Sequence, residues 1–284
     1  MQKIALLGLG TMGSGMAASW LARGFDLTIW NRTRAKAEAL GARGARIAAT
    51  PREAAAGADI IAAMVADDRA SREIWLGENG ALAGAKRDAI LIEASTLTPG
   101  WARELAGLAQ GKGCGFLDAP VGGSRRAAAA GQLALFVGGE AATLEAARPA
   151  LEAVSRKINH LGAVGAGATW KLINNLMVAA HVAVLAEALR LAQKAGIDPQ
   201  QASALILAGA GASPVVQMKL PRMIAGDFEP ADFALSLMHK DARYVIALAE
   251  QLGAPHDMTS AAAAAYARAE AQGMGAMDFA AVAG

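Results

Sequence analysis

The chain has 284 residues, of which 54% are hydrophobic, 18% are charged and 5% are aromatic. Lys and Arg together number 27 and Asp and Glu number 25, so the formal net charge is +2. This balance argues against a nucleic-acid-binding protein, whose surface normally carries clustered basic residues. The apolar composition argues against a disordered chain, and the length allows one large domain or two ordinary ones.

The cysteine count and the uncharged stretches indicate the cellular compartment of the protein. A single cysteine, Cys114, can form no internal disulfide, which is typical of a protein from the reducing cytoplasm. The longest uncharged stretch, 199–218, contains two prolines and two glycines, so it does not predict a membrane-spanning helix. We therefore expect a soluble cytoplasmic protein with no membrane or nucleic-acid partner.

A short apolar strand followed by a glycine-rich turn opens the chain. Lys3–Leu7 has the character of a buried parallel strand, and the next six residues match G-x-G-x-x-G before a helical stretch at 14–23. In this motif the first glycine permits a tight turn, the second admits a pyrophosphate, and the third lets the helix pack on the strand. A signal peptide is the alternative, but four glycines interrupt the apolar run. The predicted dinucleotide-binding residues are Gly8, Leu9, Gly10, Thr11, Met12 and Gly13.

The residues after the second predicted strand, Asp26–Trp30, indicate which cofactor binds. An NAD site usually places Asp or Glu about 20 residues after the glycines, where it accepts hydrogen bonds from the ribose 2′-OH. This chain has Asn31, Arg32 and Thr33 instead, and a guanidinium can bind a 2′-phosphate. Alternatively, Arg32 only begins the next helix, with Thr33 as its cap. The pattern favours NADPH/NADP over NAD.

Strands and helices alternate through residues 1–162, which predicts a Rossmann-type, doubly wound α/β domain with a mostly parallel sheet. Helices are expected to begin near Thr50, Asp68 and Thr98. Because ligands bind at the carboxyl ends of parallel strands, Met64 and Val65 are expected to line the cofactor crevice. The further strands are predicted at 46–48, 59–65, 89–93, 115–118, 133–137 and 157–160.

Residues 163–284 carry no strand pattern and are predicted to form an all-helical domain. The uninterrupted run at 168–195 predicts a helix of about 40 Å that belongs to both domains. Alanine-rich helices with a large apolar surface suit oligomer packing, so we expect a homodimer or homotetramer. Shorter helices are predicted at 199–208, 214–224, 233–252 and 260–272.

Five segments, in order along the chain, resemble the β-hydroxyacid dehydrogenases, a family that includes 3-hydroxyisobutyrate dehydrogenase, tartronate semialdehyde reductase and the glyoxylate/succinic semialdehyde reductases. The resemblance covers almost the whole chain and implies an NADP(H)-dependent oxidoreductase that interconverts small β- or γ-hydroxyacids and their semialdehydes. The segments are Leu6–Met16; Glu93–Thr96, similar to D-x-S-T; Asp118–Gly123, similar to D-A-P-V-S-G; Gly165–Asn175, similar to G-x-G-x-x-x-K-x-x-x-N; and Leu237–Asp241, similar to the K-D motif.

Lys171 and Asn175 are the predicted catalytic residues. They lie four residues apart in the predicted long helix and therefore share a face. An ammonium can donate a proton to a developing alkoxide, and an amide can orient it without competing as an acid. A lysine taken alone is usually solvated, but this one follows a Gly-x-Gly bend and matches the family pattern. The resemblance also implies that Thr96 and Lys240 contact the cofactor and that Phe233 flanks the nicotinamide.

The glycine-rich turn after Val121 is the predicted binding site for the substrate carboxylate. Its residues Gly122, Gly123 and Ser124, together with Thr96, are the candidate substrate contacts, and an ordinary tight turn is the alternative. Gly122 stands where the family pattern has serine, so Ser124 or Arg125 would have to replace that hydroxyl donor.

Two substrate indications disagree. The segments Gly123–Arg126 and Gly131–Leu133 resemble the glyoxylate/succinic semialdehyde reductases, whereas Leu237–Asp241 resembles the hydroxyisobutyrate and tartronate branch. The four histidines show no spacing of metal ligands, so no metal site is predicted. An imine reductase and a non-catalytic NADP-binding interaction protein are the alternative functions.

Overall fold

A computed structural model describes residues 2–284 as nine β-strands, thirteen α-helices and two short 3₁₀ helices. The chain divides into two compact units, the first extending to Lys171 and the second comprising Leu172–Gly284. The first unit contains all the strands and the second is helical, which confirms the predicted fold class.

One nine-stranded sheet organises the first unit. Its strands are β1 Lys3–Leu7, β2 Asp26–Trp30, β3 Arg46–Ile47, β4 Ile60–Ala63, β5 Ile90–Glu93, β6 Gly115–Asp118, β7 Val121–Gly122, β8 Leu133–Gly139 and β9 Ser155–Gly162. Their order in the sheet is β3-β2-β1-β4-β5-β6-β8-β7, with β9 paired to β8. All pairings among strands β1 to β6 are parallel, as in doubly wound sheets. The strand order reverses at β1, and in such sheets ligands bind at the carboxyl ends of the strands beside that point.

The sheet departs from the predicted pattern at its far edge. Strand β8 is antiparallel to both β6 and β7, and β7 falls in the segment interpreted from the sequence as a turn. A two-residue strand that ends in glycine shows no alternation of apolar and polar residues, so the sequence carries no signal for it.

Helices cover both faces of the sheet. Along β1, Ile4 and Leu6 pack in one apolar core while Ala5 and Leu7 pack in the other, as expected for parallel strands buried on both sides. The predicted helix starts at Thr50 and Thr98 are confirmed, since each hydroxyl oxygen accepts a bond from a backbone N–H of its helix. The helices are α1 Thr11–Ala22, α2 Ala35–Gly41, α3 Pro51–Ala55, α4 Asp68–Trp75, α5 Ala81–Gly84, α6 Pro99–Gly111, α7 Arg125–Ala129 and α8 Ala141–Glu152.

The second unit packs its helices around a separate apolar core. Helix α9, Ala166–Lys194, begins in the first unit and continues into the second, where Ala179, Val182 and Leu185 enter this core. Within residues 2–284, α9 is also the one helix that is long and apolar enough to cross a membrane. The side chains just named nevertheless pack in the apolar core of the second unit. The other helices are α10 Pro199–Ala208, α11 Pro214–Ala225, α12 Leu235–Leu252 and α13 Asp257–Ala271.

Candidate active site

The glycine-rich turn lies between β1 and α1, at the reversal point of the sheet. Gly8 has φ +101°, and a Cβ added there would collide with the carbonyl oxygen of Met64. A Cβ on Gly13 would collide with the carbonyl oxygen of Gly8, whereas a Cβ on Gly10 would meet nothing within 4 Å. Gly8 and Gly13 are therefore required by the fold, and Gly10 leaves open space beside the first turn of α1.

That open space fits a dinucleotide pyrophosphate. Within the described residues, the first turn of α1 holds no acidic residue, and its N-cap, Gly10, offers no side chain to the first backbone N–H groups. The N-terminus of a helix attracts anions through such N–H groups and through its dipole. The residues present thus suit a nicotinamide dinucleotide.

Asn31 connects this turn to the segment that follows β2. Its Oδ1 accepts a hydrogen bond of 2.8 Å from the backbone N–H of Leu9, and its Nδ2 donates one of 2.9 Å to the carbonyl oxygen of Thr33. Arg32 and Thr33 are exposed beside it, and no carboxylate lies within residues 31–34. The structure therefore gives Asn31 a loop-fixing role and leaves the Arg32 guanidinium accessible.

The segments that follow β4 and β5, which contain Met64, Val65 and Thr96, are joined by a partly buried hydrogen bond. The backbone N–H of Val65 donates to Ser95 Oγ at 2.8 Å, and the N–H of Ser95 donates to Glu93 Oε1 at 3.1 Å. Thr96 directly follows this pair and is half-buried.

Glu93, the last residue of β5, is buried among donors. Its Oε2 accepts from Ser71 Oγ at 2.6 Å and from Trp75 Nε1 at 2.8 Å, and Trp101 Nε1 in turn donates to Ser71 Oγ. Burial raises the pKa of the Glu93 carboxyl, and the donors from Ser71, Ser95 and Trp75 act in the opposite direction. This network is not predicted from the sequence, where its one signal is an acidic residue at the end of an otherwise apolar strand.

The start of α9 is held by a carboxylate from the sheet. Asp118, the last residue of β6, accepts hydrogen bonds of 2.8 Å from the backbone N–H groups of Gly165 and Ala168. Burial raises the pKa of Asp118, and these backbone donors oppose that rise. Lys171 follows three residues after Ala168 on the same helix and is half-buried.

The predicted carboxylate-binding turn follows β6 in the chain. Gly122 pairs with Ala134 in the sheet, and a Cβ at position 122 would lie 3.2 Å from the Phe136 ring. Gly123 is exposed, and Ser124 Oγ accepts from the backbone N–H of Ala127 at 3.2 Å, which makes Ser124 the N-cap of α7. A side chain at position 122 would therefore be in tight contact with the Phe136 ring.

In the helical unit, Asp241 brings together two of the predicted residues. Asn175 is buried, and its Nδ2 donates to Asp241 Oδ2 at 2.5 Å. Lys240 Nζ lies 2.9 Å from Asp241 Oδ1 and 4.8 Å from the ring centroid of Tyr244.

Phe233 lies two residues before the first residue of α12. Its ring packs edge-to-face on Phe279 at 5.9 Å, and its carbonyl oxygen accepts from the backbone N–H of Phe279. Among residues 2–284, no three His, Cys, Asp or Glu side chains are placed to hold a metal ion.

Two family models together match nearly the whole chain. One, described as the NAD-binding domain of 6-phosphogluconate dehydrogenase, matches residues 3–162. The other, described as NAD-binding of NADP-dependent 3-hydroxyisobutyrate dehydrogenase, matches residues 165–284.

Individual relatives agree with this match. The chain is 34% identical over 279 residues to glyoxylate/succinic semialdehyde reductase 2, chloroplastic, of Arabidopsis thaliana. The aligned region covers 98% of this chain and 78% of the relative. It is 34% identical over 270 residues to the cytokine-like nuclear factor N-PAC of Homo sapiens, and there it covers 95% of this chain but 49%, about half, of the relative. A solved structure of Mycobacterium tuberculosis 3-hydroxyisobutyrate dehydrogenase with L-serine has 34% identity and a TM-score of 0.89, over 100% of this chain and 98% of that one.

Proposed function

Because the chain belongs to the β-hydroxyacid dehydrogenase family of nicotinamide-dependent oxidoreductases, we propose that it is an NADP(H)-dependent enzyme that interconverts small β- or γ-hydroxyacids and their semialdehydes. The observation that carries the proposal is a lysine, Lys171, near the start of α9, followed one helical turn later by the buried amide of Asn175. A relative that bound the cofactor without performing chemistry would have no need of this pair.

The chemistry assigned to these residues follows from their types. When bound, a nicotinamide cofactor would supply a hydride to the carbonyl carbon in the reducing direction and would accept one from the alcohol carbon in the other. Lys171 donates the proton that neutralises the alkoxide formed from the aldehyde, and it accepts that proton in the reverse reaction. Asn175 orients this exchange as a neutral donor held by Asp241. The turn after β7, from Gly123 to Ser124, binds the substrate carboxylate through backbone N–H groups, while Gly122 is itself paired with Ala134 in the sheet.

The preference for NADP(H) rests on the segment after β2. Arg32 is exposed there, beside Asn31, which is anchored to the glycine-rich turn. A guanidinium binds a phosphate through two parallel hydrogen bonds, whereas a carboxylate at this place would repel it.

Self-association through α9 is part of the proposal. Trp170, Met177, Val184 and Leu191 are exposed and follow one another at intervals of seven residues, with exposed Ile173 beside them. This spacing places them in a narrow apolar stripe on one side of the helix, and two copies of such a stripe can cover each other across a two-fold axis. We therefore expect a homodimer or homotetramer, as measured by light scattering after gel filtration. A monodisperse monomer would contradict this expectation.

A substrate screen tests the proposed function. Oxidation of NADPH and of NADH is followed with glyoxylate, succinic semialdehyde, tartronate semialdehyde, methylmalonate semialdehyde and a cyclic imine. We expect turnover of at least one carboxylate-bearing aldehyde, faster with NADPH, and none of the imine. Turnover of the imine alone would establish an imine reductase instead. NADPH binding without any turnover would establish a non-catalytic cofactor-binding protein.

A further inference from the structure

We propose that Asp118 is a positioning residue for this reaction, because its carboxylate fixes the start of α9 and thereby sets where Lys171 presents its ammonium. The inference rests on the proposed function, which assigns proton transfer to Lys171. Asp118 ends β6 and stands four residues before Gly122, so it also begins the segment that leads to the proposed carboxylate-binding turn.

The contacts of Asp118 differ from those of an ordinary helix cap. The first backbone N–H groups of a helix have no partner within the helix, and the residue just before the helix usually accepts from them. In α9 the acceptor comes from a distant strand, since Asp118 lies 47 residues before Gly165 and 50 before Ala168. Each carboxylate oxygen accepts one of these two bonds, both 2.8 Å long, and the residue is 1% exposed. A local cap would stabilise the helix equally well but would not tie it to β6.

Two glycines show how closely the helix start lies against the sheet. A Cβ on Gly167 would collide with the carbonyl oxygen of Phe136 in β8 and would lie 2.7 Å from that of Asp118. A Cβ on Gly138, the β8 residue paired with Asp118, would lie 2.5 Å from Asp118 Oδ1 and 3.0 Å from the backbone nitrogen of Ala166. The first turn of α9 is therefore seated on the ends of β6 and β8, with the carboxylate as its polar attachment.

The attachment reaches Lys171 through the helix itself. Lys171 lies three residues after Ala168, so about one helical turn separates its backbone from the N–H group that Asp118 holds. Thr169 adds a second local bond, from its hydroxyl to the carbonyl oxygen of Gly165 at 2.7 Å. A displacement of about 1 Å in a catalytic group can cost about 100-fold in rate, so loss of the attachment should appear in kcat.

The variants D118N and D118E test the proposal, and D198N serves as the matched control. Asparagine keeps one acceptor oxygen and turns an amide N–H toward the other donor, whereas glutamate keeps the charge but lengthens the side chain. Asp198 is also a carboxylate that caps a helix, since its Oδ1 accepts from the N–H groups of Gln200 and Gln201 at 3.0 Å, and α10 carries none of the predicted site residues.

Three quantities are measured on the full chain: kcat with the best aldehyde of the screen, the NADPH dissociation constant, and amide hydrogen exchange in residues 165–171. We expect D118N to lower kcat by about 10- to 100-fold, to speed exchange at Gly165 and Ala168, and to leave NADPH binding unchanged. D118E should stay folded and bind NADPH, yet lose kcat because the first turn of α9 is displaced. D198N should match the wild type in kcat.

The outcomes separate this inference from the proposed function. A wild-type kcat in D118N and D118E, together with lost turnover in K171M, overturns the role of Asp118 alone. If D118N loses NADPH binding to the same extent as kcat, the positioning role of Asp118 is also overturned, because the residue would then be merely structural. A wild-type kcat in K171M overturns the proposed function, and the assignment of Asp118 falls with it.

Discussion

The side chain of Asn175 donates a hydrogen bond to Asp241, with 2.5 Å between Nδ2 and Oδ2, and both residues are buried. The other Asp241 oxygen lies 2.9 Å from Lys240 Nζ. One carboxylate on α12 therefore holds the orientation of a residue proposed for catalysis on α9 and of a lysine proposed for the cofactor.

The substitution D241N tests this carboxylate. Lys240 would lose its charged partner while Asn175 would keep a neutral acceptor, so we expect a loss of about 1.5–3 kcal/mol in the free energy of unfolding together with a lower kcat. Urea unfolding and steady-state kinetics measure the two effects. The control is D227N, since the Asp227 side chain is 67% exposed and pairs with Arg222 only at 4.0 Å. Equal behaviour of the two variants would contradict the role of Asp241.

The glycine-rich turn gives a paired prediction. In G10A the added methyl group occupies open space in the protein, so stability should be unchanged while NADPH affinity falls because the methyl group obstructs the pyrophosphate. In G13A the methyl group collides with the Gly8 carbonyl, and we expect a loss of about 1–3 kcal/mol in stability. Thermal unfolding and NADPH titration distinguish the two. Normal NADPH binding by G10A would show that the pyrophosphate does not lie there.

Cofactor preference is tested by R32D. R32D removes a charge-assisted hydrogen bond and adds a carboxylate that repels the 2′-phosphate. We therefore expect the binding free energy of NADPH to weaken by about 1.5–3 kcal/mol, while that of NADH stays nearly unchanged. Arg43, exposed beyond the end of α2, supplies the control R43D. Titration of both cofactors against the three proteins measures the effect. Equal weakening of NADPH and NADH by R32D would remove Arg32 from phosphate recognition.

Glu93 predicts a pH dependence of stability. Burial raises its pKa above the ordinary value of 4.5, so the folded protein holds this proton more tightly than the unfolded chain does. The stabilising contribution of the carboxyl is therefore complete below pH 4.5 and is lost as the pH rises through the raised pKa. The glutamine in E93Q does not titrate. The free energy of unfolding of E93Q minus that of the wild type should therefore increase as the pH rises from 4.5 through the raised pKa. Urea unfolding at a series of pH values checks the sign, and a decreasing difference would contradict the burial argument.

Local pattern was sufficient to predict much of the fold. The strand at Lys3–Leu7, the glycine-rich turn and the caps at Thr50 and Thr98 all depend on neighbouring residues, and the structure has each of them. The helix expected from Phe233 begins instead at Leu235, because Ala234 is extended and forms a bridge with Asp278. Such a pairing with the C-terminal segment leaves no periodic signal near residue 233.

The polar contacts of the candidate site were less accessible to sequence reasoning. Asp118 reaches Gly165 across 47 residues, and Asn175 reaches Asp241 across 66. The family-like segments contain all four residues, but only Asn175 is predicted from the sequence as a site residue, because tertiary packing decides which donor meets which acceptor. The structure therefore adds Asp118 and Asp241, with their positioning contacts, to the predicted site residues.

The most direct test of the central claim is the turnover of K171M with NADPH and the best carboxylate-bearing aldehyde. The control is K194M, which removes an exposed lysine at the other end of the same helix. If Lys171 donates the proton, kcat should fall by at least about 100-fold in K171M while its NADPH affinity and the activity of K194M remain at wild-type levels. Turnover by K171M equal to that of K194M would contradict the account.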